Sequence, residues 1–144
     1  MSRNVKDLSL RTCAFFDLVN FDEDKENFEN AIKSLNRDLG RKVIDNVLVT
    51  SYVDDFEDAV PNCDVCFIDF GGLDSGGMSG LLDSTVRHFE KLLEENENKF
   101  FVFILNMPIE FYLDEDLLNR PNIIKADAND LKLVVTELLK KFGL

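Results

Sequence analysis

The chain has 144 residues, 45% of them hydrophobic, which is the size of one domain with enough apolar surface for a sizeable core. Its 28 acidic residues against 16 basic ones leave a net charge of −12, a potential that repels phosphate backbones and anionic membranes and argues against nucleic-acid binding; its plainer role is solubility. No window approaches the roughly 18 consecutive apolar residues that cross a bilayer, and MSRNVKDLSL lacks a continuous apolar signal segment, so a cytoplasmic protein with no membrane partner is expected.

Residues 1–11 carry few apolar positions and are expected to fray or to lie across the domain edge. Thr12 to Val19 (TCAFFDLV) is rich in β-formers and predicts the first strand. Asn20 and Glu23 make a capping-box pattern ahead of a helix whose apolar positions, Phe28, Ala31, Ile32, Leu35 and Leu39, fall on one face, and Gly40 ends it. Lys42 to Ser51 predicts a second strand, and Val53 to Val60 a short helix stopped before Pro61. Val65 to Ile68, an apolar run delivered into Gly71 and Gly72, predicts a buried third strand. Gly76, Gly77 and Gly80 then loosen the chain before a helix with its inner face at Leu81, Leu82, Val86, Phe89, Leu92 and Leu93. Phe100 to Leu105 (FFVFIL) is apolar on both faces, as a central strand of a parallel sheet should be. Leu113 to Asn119 predicts a short helix or turn and Asn122 to Ala126 the last strand. Asp130 then caps a final helix bearing Leu131, Leu133, Val134, Val135, Leu138, Leu139 and Phe142.

Five strands alternating with helices predict a three-layer α/β/α sandwich over residues 1–144, a flavodoxin-like (βα)5 fold on a parallel sheet of order 2-1-3-4-5. All strands then end at one edge, where ligands of such folds bind. That edge collects Asp17 or Asn20, Ser51, Asp69 to Ser79, Asn106, and Lys125 to Asp127. The candidate ligand-binding set is Asp17, Asp69, Gly71, Gly72, Asp74, Ser75, Gly76, Gly77, Ser79, Asn106 and Lys125. Glycines let backbone approach a ligand and the following helix start offers unpaired N–H groups, yet Asp69 and Asp74 oppose a bare phosphate unless a cation intervenes. The loop LVNFDED after the first strand lacks a dinucleotide fingerprint, a Walker A pattern and the usual flavin-phosphate pattern, so FMN, NAD and ATP bound in those ways are disfavoured. Carboxylates at strand ends such as Asp17 and Asp69 also serve as helix caps or solvated turn residues.

Cys13, Cys63 and Cys66 sit in or beside apolar strands, an odd number that suits a reducing compartment. Cys63 and Cys66 make a C-x-x-C, but the second cysteine falls inside the strand rather than at a helix start, which predicts buried structural thiols. His88, the only histidine, stands on the flank of the core-facing stripe and reads as a packing residue. Phe111 and Tyr112 form either a pocket wall above the fourth strand or a cover for the sheet edge.

Two resemblances attach to these residues. Asp64 to Gly76, D-V-C-F-I-D-F-G-G-L-D-S-G, resembles the strand and loop of nucleoside 2-deoxyribosyltransferases, which implies a nucleoside-shaped pocket; Gly77 stands where that family has threonine and Gly80 where it has its nucleophilic glutamate. The overall layout is similar to bacterial receiver domains, with Asp17 after the first strand, Asp69 after the third and Lys125 on the fifth; this resemblance implies Mg²⁺ at Asp17 and Asp69. One acid stands where receivers carry two, Asn106 replaces a Ser or Thr, and no proline follows Lys125, so a degenerate receiver that binds a partner protein is implied.

The leading expectation is a non-redox small-ligand-binding or regulatory domain without a resident cofactor. Its ligand would be nucleoside- or nucleotide-like and would sit at the Gly71 to Gly80 loop. A receiver-like interaction module and a deoxyribosyltransferase-like enzyme are the alternatives; monomer and homodimer both stay open.

Overall fold

A computed structural model describes residues 9–16, 21–69, 79–104, 116, 119–126 and 131–141. Five strands, β1 (Leu10–Phe16), β2 (Ile44–Thr50), β3 (Val65–Asp69), β4 (Phe100–Ile104) and β5 (Ile123–Ala126), form one sheet in the order β2-β1-β3-β4-β5 with every pairing parallel. Among the described residues, α1 (Phe21–Asp38), α2 (Val53–Ala59), α3 (Ser79–Glu95) and α4 (Leu131–Lys141) cover its two faces. This is the flavodoxin-like three-layer sandwich that alternating strands and helices demand, because parallel neighbours can be joined only by crossovers. No helix among the described residues is long and apolar enough to cross a membrane.

Each face of the sheet has its own phenylalanine-rich core. Under α1 and α4, Phe28, Ile32, Leu35, Val135, Leu138 and Leu139 bury against Ala14, Phe16, Phe67, Val102 and Ile104. Phe28 stands edge-on to both Phe16 and Phe67, with ring centroids 5.7 and 5.0 Å apart. Under α2 and α3, Phe15, Phe56 and Phe89 form a triangle of edge-to-face rings at 5.1–6.1 Å, packed with Phe101 and Phe103. Each fully buried phenylalanine contributes about 1.5–3 kcal/mol by leaving water, so the rings on α1, α2 and α3 are what hold those helices to the sheet.

Several expected boundaries move. β1 starts at Leu10, because Leu10 is itself buried and its N–H donates to the Val43 carbonyl at 2.8 Å; the expected start at Thr12 is corrected. Leu39, expected on the buried stripe of α1, is 47% exposed. It lies past the last helical residue, where Gly40 takes φ +70° and turns the chain away. The Gly40 N–H donates to the Arg37 carbonyl and the Arg41 N–H to the Asn36 carbonyl, a Schellman termination. On the final helix Leu133 is 63% exposed, while Val135, Leu138 and Leu139 carry the inner face of α4. α2 ends at Ala59, before Pro61 as expected, and the chain then makes one 3-10 turn, Val60–Asn62, in which proline occupies the first turn and needs no N–H partner.

Cys13, Cys63 and Cys66 are free and buried, and Cys13 stands level with Cys66 across the β1–β3 pair. For Cys13 the hydrogen bond with Cys63 pulls the pKa down, but that with Cys66 and burial outweigh it, and the net push is upward. The hydrogen bond with Cys13 and burial push the Cys63 thiol up as well. These are packed, protonated thiols, as expected. His88 is half exposed and sits 3.5 Å from Glu57, linking α3 to α2 rather than packing into the core.

Candidate functional site

The edge at which the strands end is built around Asp69. It closes β3, the middle strand, and stands level with Phe16 on β1 and Ile104 on β4. Alternation along β3 places it on the same face as Val65 and Phe67, the side covered by α1 and α4. Only 4% of it is exposed, and it is the one buried charged residue among the described residues. Burying a carboxylate costs several kcal/mol unless partners hold it, so a buried acid is a specific feature of the end of a strand whose other residues are apolar or thiol.

Around it the edge is acidic. α1 carries Asp22, Glu23 and Asp24 in its first turn and α2 carries Asp54 and Asp55. Carboxylates there complement the helix dipoles, and they also lower the potential at the strand ends, which disfavours a bare phosphate. At the end of β2, Thr50 is buried and its hydroxyl oxygen accepts the Tyr52 N–H at 3.0 Å. That turn leaves the Tyr52 ring 65% exposed beside the edge. Neither Thr50 nor Tyr52 stands out in the sequence, where Ser51 is the residue expected here; a hydroxyl three residues before the helix start is the available signal.

Of the expected site residues, Asp69 and Lys125 are described with their side chains. Lys125 is exposed on β5 and level with Phe103, one step earlier along the sheet than the row containing Asp69 and two strands across from it. Alternation also sets Lys125 on the α2 and α3 side, opposite to Asp69. Ser79 is the first residue of α3. Asp17, Gly71, Gly72, Asp74, Ser75, Gly76, Gly77 and Asn106 lie outside the described residues, as do Phe111 and Tyr112. Among the described residues no three His, Cys, Asp or Glu side chains are grouped to hold a metal ion. Asp17, one of the two acids at which the receiver resemblance implies Mg²⁺, lies outside the described residues.

Fold and edge together define a flavodoxin-like α/β domain with an acidic carboxyl-terminal edge centred on a buried aspartate. No family model matches the chain, and no curated protein matches it significantly. Among solved structures it is similar to a fragment from Peptoclostridium difficile 630 described as a "putative lipoprotein", with a TM-score of 0.55, 12% identity, and coverage of 93% of this chain and 99% of that one. At that identity the likeness speaks for the fold alone.

Proposed function

We propose that this chain is a non-redox binding or regulatory domain that takes a small nucleoside- or nucleotide-like ligand at the carboxyl-terminal edge, against Asp69 and the Gly71 to Gly80 loop. The observation that carries this reading is the burial of Asp69 at the end of the middle strand, where a parallel sheet of this order offers its ligand crevice. A carboxylate there is suited to accept hydrogen bonds from a hydroxyl or amino group of a sugar or base. The acidic first turns of α1 and α2 favour the uncharged part of such a ligand over its phosphates. The cytoplasmic setting belongs to the same proposal, supported by three buried thiols that remain free.

Calorimetric titration with a panel of 2′-deoxynucleosides, nucleosides and their monophosphates tests it. Saturable binding, stronger for nucleosides than for monophosphates and weakened at least tenfold by Asp69→Asn, is the expected result. No binding across the panel, or binding indifferent to Asp69→Asn, contradicts it. Nucleobase exchange between the bound deoxynucleoside and a free base would raise the transferase-like reading above the binding one.

A further inference from the structure

The two lateral edges of the sheet are made differently. β5 has four residues and an exposed lysine, Lys125, and short length and lysine both keep an edge from pairing with a foreign strand. β2 has seven residues, IDNVLVT, with Asp45 as its single charged side chain and neither lysine nor proline. Its apolar side chains are incompletely covered: Leu48 packs on the α2 and α3 side and Val49 on the α1 and α4 side, both partly buried. A bulge opposite Thr12 and Cys13 leaves Val47 out of the ladder to β1, and 40% of it is exposed. Of the four large hydrophobic residues exposed among the described residues, three belong to this edge: Leu39 before β2, Val47 on it and Tyr52 after it.

We propose that β2 is a dimerisation edge whose occupant is β2 of a second copy of this chain, paired antiparallel about a two-fold axis near Val47 so that the two sheets become continuous. Two features select a second copy. Antiparallel pairing sets the start of one β2 against the end of the other, so Arg41 and Lys42 of each chain face the Tyr52 to Asp55 stretch of its partner, bringing opposite charges together at both ends. The same operation brings the exposed Val47 towards its own copy, giving that uncovered apolar side chain an apolar neighbour. With a net charge of −12 per chain, self-association needs this local complementarity to overcome general repulsion.

Sedimentation velocity on the full chain over a concentration series tests the proposal. The expected result is a monomer–dimer equilibrium in which Val47→Lys, placing like charges beside the axis, gives monomer throughout. Lys42→Glu should raise the dissociation constant at least tenfold, and Lys42→Glu combined with Asp54→Lys should restore it. The Lys42 and Asp54 variants lie on exposed side chains, so the test stands even if Val47→Lys fails to fold. A wild-type chain that is monomeric at every concentration overturns the proposal, as does a dimer unmoved by the Lys42 variant.

Discussion

The two ends of the strands use their polar residues differently. At the amino-terminal edge, polar groups join neighbouring segments: Asn36 in the last turn of α1 receives the Val43 and Ile44 N–H groups on Oδ1, at 2.9 and 3.0 Å, and donates from Nδ2 to the Ile44 carbonyl at 3.1 Å. Asp64 accepts the Arg11 N–H on Oδ2 at 3.0 Å, its own N–H donates to the Arg11 carbonyl, and its carbonyl accepts the Phe100 N–H. Asn122 donates to the Lys99 carbonyl at 2.8 Å and accepts the Phe101 N–H on its own carbonyl. These bonds run across the sheet from β2 to β5. The carboxyl-terminal edge places the one buried acid among the described residues on the middle strand, inside an apolar row. The difference teaches that polar substitutions at the first edge should read out as stability and at the second as binding.

The largest stability effect should come from Asn36→Ala, which removes three hydrogen bonds and strands two backbone N–H groups at the start of β2. A loss of about 2–3 kcal/mol is expected, measured as the change in denaturation midpoint at constant slope. If Asn36→Ala were neutral, the amino-terminal edge would not be the stabilising one and the contrast would break. Asp64→Ala removes one side-chain bond while its backbone bonds to Arg11 and Phe100 remain, so about 1 kcal/mol is expected by the same measurement. Gly40→Ala should cost about 1–2 kcal/mol from the left-handed backbone alone, since an added Cβ meets nothing within 4 Å; Gly40→Asn should cost less.

The thiols give a smaller, pH-dependent effect. Cys13 and Cys63 have folded pKa values raised above the ordinary 9.0, so in the folded state they stay protonated where the unfolded chain begins to ionise. Their contribution to stability is complete below about pH 9 and declines as pH rises beyond it, because the unfolded state then binds fewer protons than the folded one. Denaturation curves from pH 8 to 10 should show this decline, and Cys63→Ala should flatten it. An equal slope in that variant would remove the thiols from the account.

Much of the architecture was legible because parallel sheets leave a plain trace: apolar runs without alternation, such as Phe100 to Ile104, separated by amphipathic helices and ended by glycine, as at Gly40. What periodicity missed lies at element ends. Leu39 continues the α1 stripe in sequence but follows the point where the chain leaves the helix, and Pro61 enters a 3-10 turn that a helix-breaking rule does not foresee. Asn36 looks like any polar residue of a helix surface, since its partners are backbone groups seven and eight positions away that only the folded turn brings near. At the candidate edge, the position of Asp69 at the end of β3 was legible from its place after an apolar run, but its burial was not, because a carboxylate at a strand end serves equally well as a cap or a solvated turn residue.

The central claim is that recognition belongs to the Asp69 edge and stabilisation to the opposite one. Amide chemical-shift mapping with 2′-deoxyadenosine, 2′-deoxyguanosine and 2′-deoxycytidine, on wild type and Asp69→Asn, tests it most directly. The account predicts that at least one of them shifts Phe16, Asp69, Ile104 and the Gly71 to Gly80 loop, leaves Asn36, Asp64 and Asn122 in place, and loses the effect in Asp69→Asn without loss of fold. Shifts centred on Asn36, Asp64 and Asn122, or none with any of the three, would contradict it.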